Sequence, residues 1–232
     1  MTLVRHGTAY GGWVIPEGVL GTESVCYLAG AGEDISFDCS IARYYGCQVH
    51  IFDPTPRAIA HVENVISRAR EGLQTPINND PSITYAISPR EVARLHLHPV
   101  GLWSETTSLK FFAPRDPGHV SHSVLNIQQT EAFFEAPVMS LAEIMDMLGH
   151  KHIDLLKLDT EGAEYEIIAS LVRDKIVPTI LCVEFHNATN PNAGIDENCL
   201  LESIEKLKSI GLTIIHQDGL DLTFVNDSIL PH

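Results

Sequence analysis

Ser24-Val25-Cys26-Tyr27-Leu28-Ala29-Gly30-Ala31-Gly32-Glu33-Asp34 is the stretch on which the fold turns. Residues 24–29 form a short apolar run, the pattern of a strand buried on both faces of a sheet. The run closes on Gly30-Ala31-Gly32, and residues 35–45 then set Ile35, Cys39 and Ala42 on one helical face. Outward from there the alternation continues. Residues 48–52 (QVHIF) read as a second strand ending at Asp53, and residues 54–70 as a helix with Pro54 or Pro56 in its first turn. Residues 83–87 and 95–102 are strand candidates, and residues 108–112 are expected to pair with 95–102 as a hairpin.

Residues 115–130 (RDPGHVSHSVLNIQQT) are polar and loop-like, and a loop of this length inside a domain is usually functional. Residues 140–148 read as a helix opened by Ser140, with Glu143 three residues on completing a capping box. Residues 153–158 are a strand ending at Asp159, 164–173 a helix, 179–185 a strand, and 196–210 a helix stopped by Gly211. Two last strands, 212–215 and 222–225, follow directly on one another. This order predicts an α/β fold: a mostly parallel sheet covered by helices on both faces, with an antiparallel hairpin at one edge. Residues 1–22 read as an N-terminal extension or lid anchored by Trp13-Val14-Ile15-Pro16, and residues 23–232 as a single domain.

With 232 residues, 44% of them hydrophobic, the chain can build a sizeable core, which excludes a disordered or disulfide-stapled scaffold. Thirty acidic residues against fifteen basic ones give a net charge of −15, with no basic excess to displace counterions from phosphates. No nucleic-acid partner is therefore expected. No apolar run approaches the ~20 residues of a membrane-spanning helix, and residues 1–13 carry no apolar signal segment. The five cysteines show no CxxC spacing, and Cys26 and Cys182 sit in apolar runs. They read as reduced core thiols, so a cytoplasmic location is expected.

Four constellations carry chemistry. First, Gly30 and Gly32 let backbone approach a ligand, and Asp53, 23 residues after Gly30, can accept hydrogen bonds from a ribose diol. Ile35 stands where a dinucleotide fingerprint has its third glycine, and Glu33 and Asp34 would repel a pyrophosphate. A nucleoside bearing an amino acid and a sulfonium suits this loop better than a nicotinamide or flavin dinucleotide. Second, Leu155-Leu156-Lys157-Leu158-Asp159-Thr160-Glu161-Gly162-Ala163-Glu164 delivers Asp159, Glu161 and Glu164 to one strand end. Crowded carboxylates of this kind serve as general base, hydroxyl binder or hard-metal ligands. Glu164 itself is expected to be an exposed first-turn residue favoured by the helix dipole.

Third, Glu184 and His186 alternate along the next strand and so face one side, with His186 a candidate base, metal ligand or hydrogen-bonded neighbour. Fourth, His119-Val120-Ser121-His122-Ser123 lies in the long polar loop and can cover the cleft. Zinc-type ligand spacing and a G-x-S-x-G elbow are both absent from the sequence. Trp13 and Trp103 either stack on a planar or sugar substrate or belong to the core.

Gly30-Ala31-Gly32-Glu33-Asp34, Phe52-Asp53-Pro54-Thr55-Pro56, Val100-Gly101-Leu102-Trp103 and Lys157 to Glu164 together resemble the FkbM-type methyltransferases, from about residue 24 to residue 186. The resemblance implies the Rossmann-like, seven-stranded fold of class I methyltransferases, S-adenosyl-L-methionine as cofactor, and O-methylation of a hydroxyl on a small-molecule or carbohydrate acceptor. It also implies roles for individual residues. Gly30, Ala31 and Gly32 line the methionine part, Asp53 holds the ribose, and Pro54 borders the adenine. Gly101, taken as the end of the third strand, sits at the adenine edge, and Asp159 lies near the sulfonium and acceptor. The family's first loop usually begins with an acid and carries an asparagine; here Tyr27-Leu28-Ala29 precedes Gly30, so Asp34 is expected to meet the cofactor's amino group. Asp159 or His186 is expected to take the hydroxyl proton, with Glu161 and Glu184 orienting the acceptor. A divalent cation on Asp159, Glu161 and Glu184 is left undecided, as is the oligomeric state. Two other functions compete: a non-catalytic nucleotide-binding module of the same fold, and a nicotinamide-dependent oxidoreductase, which Ile35 disfavours.

Overall fold

Alternate residues of the first central strand enter different cores: Cys26 and Leu28 pack into one apolar cluster, Tyr27 and Ala29 into another. A strand with side chains buried on both faces must lie inside a layered sheet. The computed structural model places it there and describes residues 1–78, 80–116, 121–126, 128–186 and 197–230.

In chain order the elements are β1 (Leu3–His6), β2 (Trp13–Pro16), β3 (Val25–Ala29), α1 (Ser36–Tyr45), β4 (Gln48–Phe52), α2 (Pro56–Arg70), β5 (Pro76–Ile77) and β6 (Asp80–Thr84). They continue with α3 (Pro89–Val92), β7 (Leu95–His98), β8 (Gly101–Trp103), β9 (Thr107–Phe112), β10 (Phe133–Ser140) and α4 (Leu141–Leu148). The rest are β11 (Leu155–Leu158), α5 (Glu164–Asp174), β12 (Ile180–Glu184), α6 (Glu197–Ser209), β13 (Leu212–Asp218) and β14 (Asp221–Asn226). The main sheet has seven strands in the order β13-β14-β12-β11-β3-β4-β7. Five of them run parallel, and β14 runs antiparallel to both β12 and β13, so the closing hairpin forms one edge. This is a Rossmann-like, mostly parallel seven-stranded sheet with an antiparallel edge hairpin. One face is covered by α1, α2, α3 and the β1–β2 hairpin, the other by α4, α5 and α6. Trp13 is a core residue, 6% exposed, and Ile15 beside it is fully buried. Strand order reverses at β3, between β4 and β11, and a crevice opens above the carboxyl ends at such a point.

The structure corrects several boundaries. Residues 95–102 are two strands in two sheets: β7 ends at His98, and β8 begins at Gly101 after Pro99. β9 pairs with β10, which sits between β8 and β9 in a three-stranded sheet. Pro137 hid β10 from sequence reading, because proline cannot donate to a ladder. It is accommodated one residue before the pairing with β8 begins at Val138. Residues 83–87 form a strand only in part, as β6 covers residues 80–84 and pairs with β5. Ser140 does cap α4, accepting from the Glu143 N–H at 3.3 Å, but the box is not closed. Thr106 intervenes: its hydroxyl accepts from the Ser140 N–H and donates to the Glu143 carboxylate. A complete box stands instead at Ser88 and Glu91, at the start of α3.

Beside β4 and β7 four imidazoles cluster. His50 Nδ1 lies 3.0 Å from His98 Nε2, its ring stacks on His96 and meets His150 edge-on, and His150 Nδ1 is 2.7 Å from the Tyr27 hydroxyl. Burial first and then the neighbouring rings push His50 down to about 3, and burial holds His96, His98 and His150 below their ordinary value. These rings are neutral in the fold and protonate freely once it opens, near pH ~6.5. The stability they contribute is therefore intact above that pH and is lost as pH falls toward their depressed values. The thermal midpoint should drop steeply between about pH 6.5 and about pH 4, and His50→Gln should make that drop shallower. An equally steep profile in the variant would place the acid sensitivity elsewhere.

Candidate functional site

The crevice at the switch point is a cleft of about 600 Å³. Its floor is set by one steric fact. Gly30 has φ +83, and a Cβ on it would come within 1.7 Å of the Asp159 carbonyl oxygen, so only glycine lets β3 end against the turn after β11. Asp53, 5% exposed at the end of β4, accepts from the Ala31 and Gly32 N–H groups through one oxygen (2.9 and 3.2 Å) and from the Thr55 N–H through the other (2.8 Å). It thus orders the glycine loop while lining the cleft, with lone pairs left for a further donor. Pro54 and Gly101 adjoin: a Cβ on Gly101 would lie 3.4 Å from Pro54 Cγ, and both line the cleft. Gly101 opens β8 rather than ending the third parallel strand, a correction to its expected place that leaves it in the same cleft.

Asp34 lines the cleft, but its visible bonds hold the N-terminal hairpin. One oxygen accepts from the Thr8 hydroxyl at 2.7 Å and the other from the Ser36 N–H at 2.8 Å. The Thr8 N–H donates to the Ser36 hydroxyl, and the Gly11 N–H to the Thr8 hydroxyl. This network presents Tyr10, 82% exposed, at the mouth of the cleft. Partial desolvation at the cleft mouth, then the charges of Asp159, Glu184 and Glu161, push the Tyr10 phenol up. Nothing in sequence singled out Tyr10, because a cleft-facing aromatic is recognisable only once the hairpin is placed.

The far end of the cleft concentrates charge. Lys157, the third residue of the fully buried strand β11, donates to the Gly30 carbonyl at 2.5 Å and pairs with Asp159 Oδ2 at 3.0 Å. Burial pulls its ammonium down, yet Asp159 and Asp38 outweigh that and hold it above its ordinary value. Asp159 shows the converse: burial raises its carboxyl, but Lys157 and His186 prevail and keep it below the usual carboxylate range. His186 Nε2 lies 3.4 Å from Glu184, 3.6 Å from Glu161 and 3.9 Å from Asp159. Its Nδ1, shut off from solvent, is 3.6 Å from Glu164 Oε1, an ion-pair distance too long for a hydrogen bond. Burial opposes protonation, but Glu164, Glu161 and Glu184 raise the imidazole to about 10. Glu184 moves the other way from its neighbour Asp159: burial, then the Asp159 charge, raise it to about 8.

Glu164 overturns its expected role. It is 0% exposed and accepts from the Gly162 N–H at 2.9 Å, the His186 N–H at 2.7 Å and the Thr160 hydroxyl at 3.3 Å. The carboxylate joins the turn after β11 to the end of β12, a long-range role that first-turn helix statistics cannot reveal. Lys157 and Asp221, both in the cleft lining, were also missed. For Lys157 the signal was available, since a lysine in the run Leu155–Leu158 must find a buried partner. Ser121 and His122 line the cleft, whereas Gly118, His119 and Val120 fall outside the described residues. Asp159, Glu184 and His186 each offer one ligand atom, all within 4.8 Å of one another, a donor set able to hold a divalent cation. Glu161, grouped with Asp159 and Glu184 in the sequence, lies instead against His186.

The chain matches the model of the methyltransferase FkbM domain over residues 29–206. No curated protein matches it in sequence. Among solved structures it is similar to the fibrillarin pre-rRNA processing protein of Methanococcus jannaschii, with 11% identity and a TM-score of 0.46 over 92% of this chain and 70% of that one. It is similar to an rRNA methylase from Streptococcus thermophilus at 14% identity and TM-score 0.45, over 90% and 89% of the two chains. A third is Aeropyrum pernix fibrillarin with natively bound S-adenosyl-L-methionine, at 12% identity and TM-score 0.44 over 91% and 70%.

If the carboxylates hold His186 charged, removing one must release its proton more easily. Glu164→Gln should lower the His186 pKa, read by nitrogen-15 NMR of the imidazole, toward the ordinary histidine value. An unchanged titration in the folded variant would refute the ion-pair assignment. Glu164→Ala should in addition leave two backbone N–H groups without an acceptor, costing about 1–3 kcal/mol for each one that stays buried, measurable by urea unfolding.

Proposed function

Because the chain belongs to the methyltransferase FkbM domain family and is thus an S-adenosylmethionine-dependent methyltransferase, we propose that it methylates a hydroxyl of a small-molecule or carbohydrate acceptor. The observation that carries this reading is the charged cluster at the end of β11 and β12, a proton-handling centre facing an open cleft.

The residues present fit the cofactor. A Cβ on Gly32 would meet nothing within 4 Å, so the loop is open at that point, and Asp53 keeps acceptor capacity beside it. The described lining holds seven carboxylates against the cations of Lys157 and His186, a surrounding suited to a ligand carrying a sulfonium and an ammonium. Gly30, Ala31 and Gly32 would flank its methionine part, Asp53 its ribose, and Pro54 and Gly101 its adenine; Asp34, occupied by Thr8, would contribute mainly by charge. When bound, the cofactor supplies an electrophilic methyl group. The same lining disfavours a polyphosphate acceptor, which supports the expectation that nucleic acid is not the substrate. Of residues 1–22, the turn between β1 and β2 carries Tyr10 over the mouth of the cleft, while Trp13, Ile15 and Leu20 anchor the segment in the core. Cys26, Cys39, Cys47 and Cys182 are buried in the apolar core, in keeping with the reading of these residues as core thiols and with a cytoplasmic location. Among the described residues no helix is long and apolar enough to cross a membrane.

The acceptor hydroxyl must lose its proton as the methyl group arrives, and a general base works best with a pKa near the operating pH. His186, raised to about 10, is an imidazolium with no lone pair to offer, and Asp159 is held ionised as a weak base. Glu184, at about 8, is the best matched of the cluster. In this reading Glu184 takes the proton, His186 steadies the charge that develops, and Asp159 and Glu161 orient the hydroxyl. The convergence of Asp159, Glu184 and His186 favours a second reading, in which a divalent cation activates the hydroxyl instead.

Three measurements test this. Titration calorimetry should give micromolar binding of S-adenosylmethionine, weakened at least tenfold, about 1.4 kcal/mol, in Asp53→Ala; no binding to the folded wild type would end the methyltransferase reading. With an acceptor in hand, kcat should rise with pH through about 8 as Glu184 ionises, and Glu184→Gln should lose that limb along with roughly 10²–10⁴ in rate. EDTA separates the readings: unchanged activity supports the carboxylate base, and activity lost and restored by magnesium supports the cation.

A further inference from the structure

A second cavity, of about 230 Å³, opens beside the cleft and shares Ser121 and Glu161 with it. Its other walls come from Phe112, Ala113 and Pro114 at the end of β9 and from described residues of the polar connection between β9 and β10. The described part of that connection is built. Phe112 and Ser123 exchange backbone hydrogen bonds at 2.8 and 3.1 Å, the Thr130 hydroxyl donates to the Ala113 carbonyl at 2.7 Å, and Asn126 and Thr130 bond each other twice. The Arg115 N–H and guanidinium hold Gln128 at 2.7 Å each.

The loop is also fastened to the reacting end of the cleft. Ser123 Oγ donates to the Glu161 carbonyl at 2.5 Å, and Leu125 packs where a Cβ on Gly162 would fall, 2.8 Å from its Cδ1. Glu161 itself has φ +52, a left-handed conformation that is costly for a residue with a side chain and that clusters at functional sites. Its carboxylate lies 3.6 Å from His186 in the cleft while its carbonyl meets the loop, so the residue stands at the boundary between the two cavities. A polar cavity that opens onto a cleft holds either water or polar groups of a ligand. Its walls hold hydroxyls, amides and one aromatic residue and no described cation; Ser123, Asn126 and Thr130 are engaged in the loop's own bonds, so Ser121 and Gln128 are the polar side chains it can offer a ligand.

We propose that this cavity is an acceptor subsite that takes an uncharged, hydroxyl-rich ring, so that the acceptor is a glycoside of at least two units. One unit presents its hydroxyl to Glu184 in the cleft and the next occupies the cavity past Glu161. The proposal rests on the methyltransferase reading and specifies the acceptor within it. The spacing follows from the lining itself: Ser121 and Glu161 belong to both cavities, so two linked rings can span them.

The test uses ligand-observed NMR on the full chain with the demethylated cofactor bound. The probes are the methyl glycosides of glucose, galactose and mannose, and methyl maltoside, lactoside and cellobioside. At least one disaccharide should bind tenfold or more tightly than its single-ring counterpart. Ala113→Phe, which fills the cavity away from the reacting groups, should bring that ratio to about one while leaving single-ring and cofactor-product affinities unchanged. Equal affinity of both sizes, a ratio that survives Ala113→Phe, or no binding by any probe overturns the subsite. If the demethylated cofactor itself fails to bind the wild type, the methyltransferase reading falls, which is a separate outcome. Should Ala113→Phe fail to bind cofactor, Ser121→Val, a smaller change at the shared wall, reads the same ratio.

Discussion

A lysine ammonium with almost no access to water governs this molecule. Lys157 sits in the most enclosed strand of the sheet, 5% exposed, and can remain charged there only because other groups replace its hydration. Those groups are the Gly30 carbonyl and the Asp159 carboxylate, so the same cation pins the end of β3 to the end of β11. Asp38, buried on α1 and raised by its burial to about 6, adds a third side to the arrangement. The fold therefore places its most expensive charge directly under the glycine loop and beside the Asp159 carboxylate. Each later feature of the site, from the ionised Asp159 to the charged His186, follows from how that field is balanced.

The balance runs along the strand ends as a sequence of alternating signs. Lys157 favours an ionised Asp159, Asp159 favours a protonated Glu184, and the remaining acids favour a protonated His186. Neighbours of opposite tendency on adjacent strands divide acid and base roles among chemically similar side chains. Glu164 is the silent member: it gives its oxygens to backbone N–H groups of two different strand ends and so fixes the distances on which the others depend.

Most of the parallel sheet was legible, because Val25–Ala29 appears as an unbroken apolar run between turn residues and Leu155–Leu158 as one interrupted only by Lys157. β10 was not, since a proline interrupts its alternation, and β7 and β8 fused into one reading because the chain changes sheet across only two residues. At the site, residues at strand ends were found by their position: Asp53, Asp159, Glu184 and His186 all line the one cleft. What escaped was whatever tertiary packing decides. Glu164 follows local helix rules in sequence and a buried network in space, and Asp34, read toward a ligand, is committed to a hairpin over 20 residues earlier in the chain.

The surplus of carboxylates around the cleft also bears on turnover. Methyl transfer converts a sulfonium into a neutral thioether, so the spent cofactor carries one positive charge fewer than the fresh one. A lining dominated by negative side chains holds the fresh form more firmly than the spent form at every point where that charge is felt. The field that would draw the cofactor in would thus hold its spent form less firmly, so that charge alone would favour exchange of used cofactor for fresh.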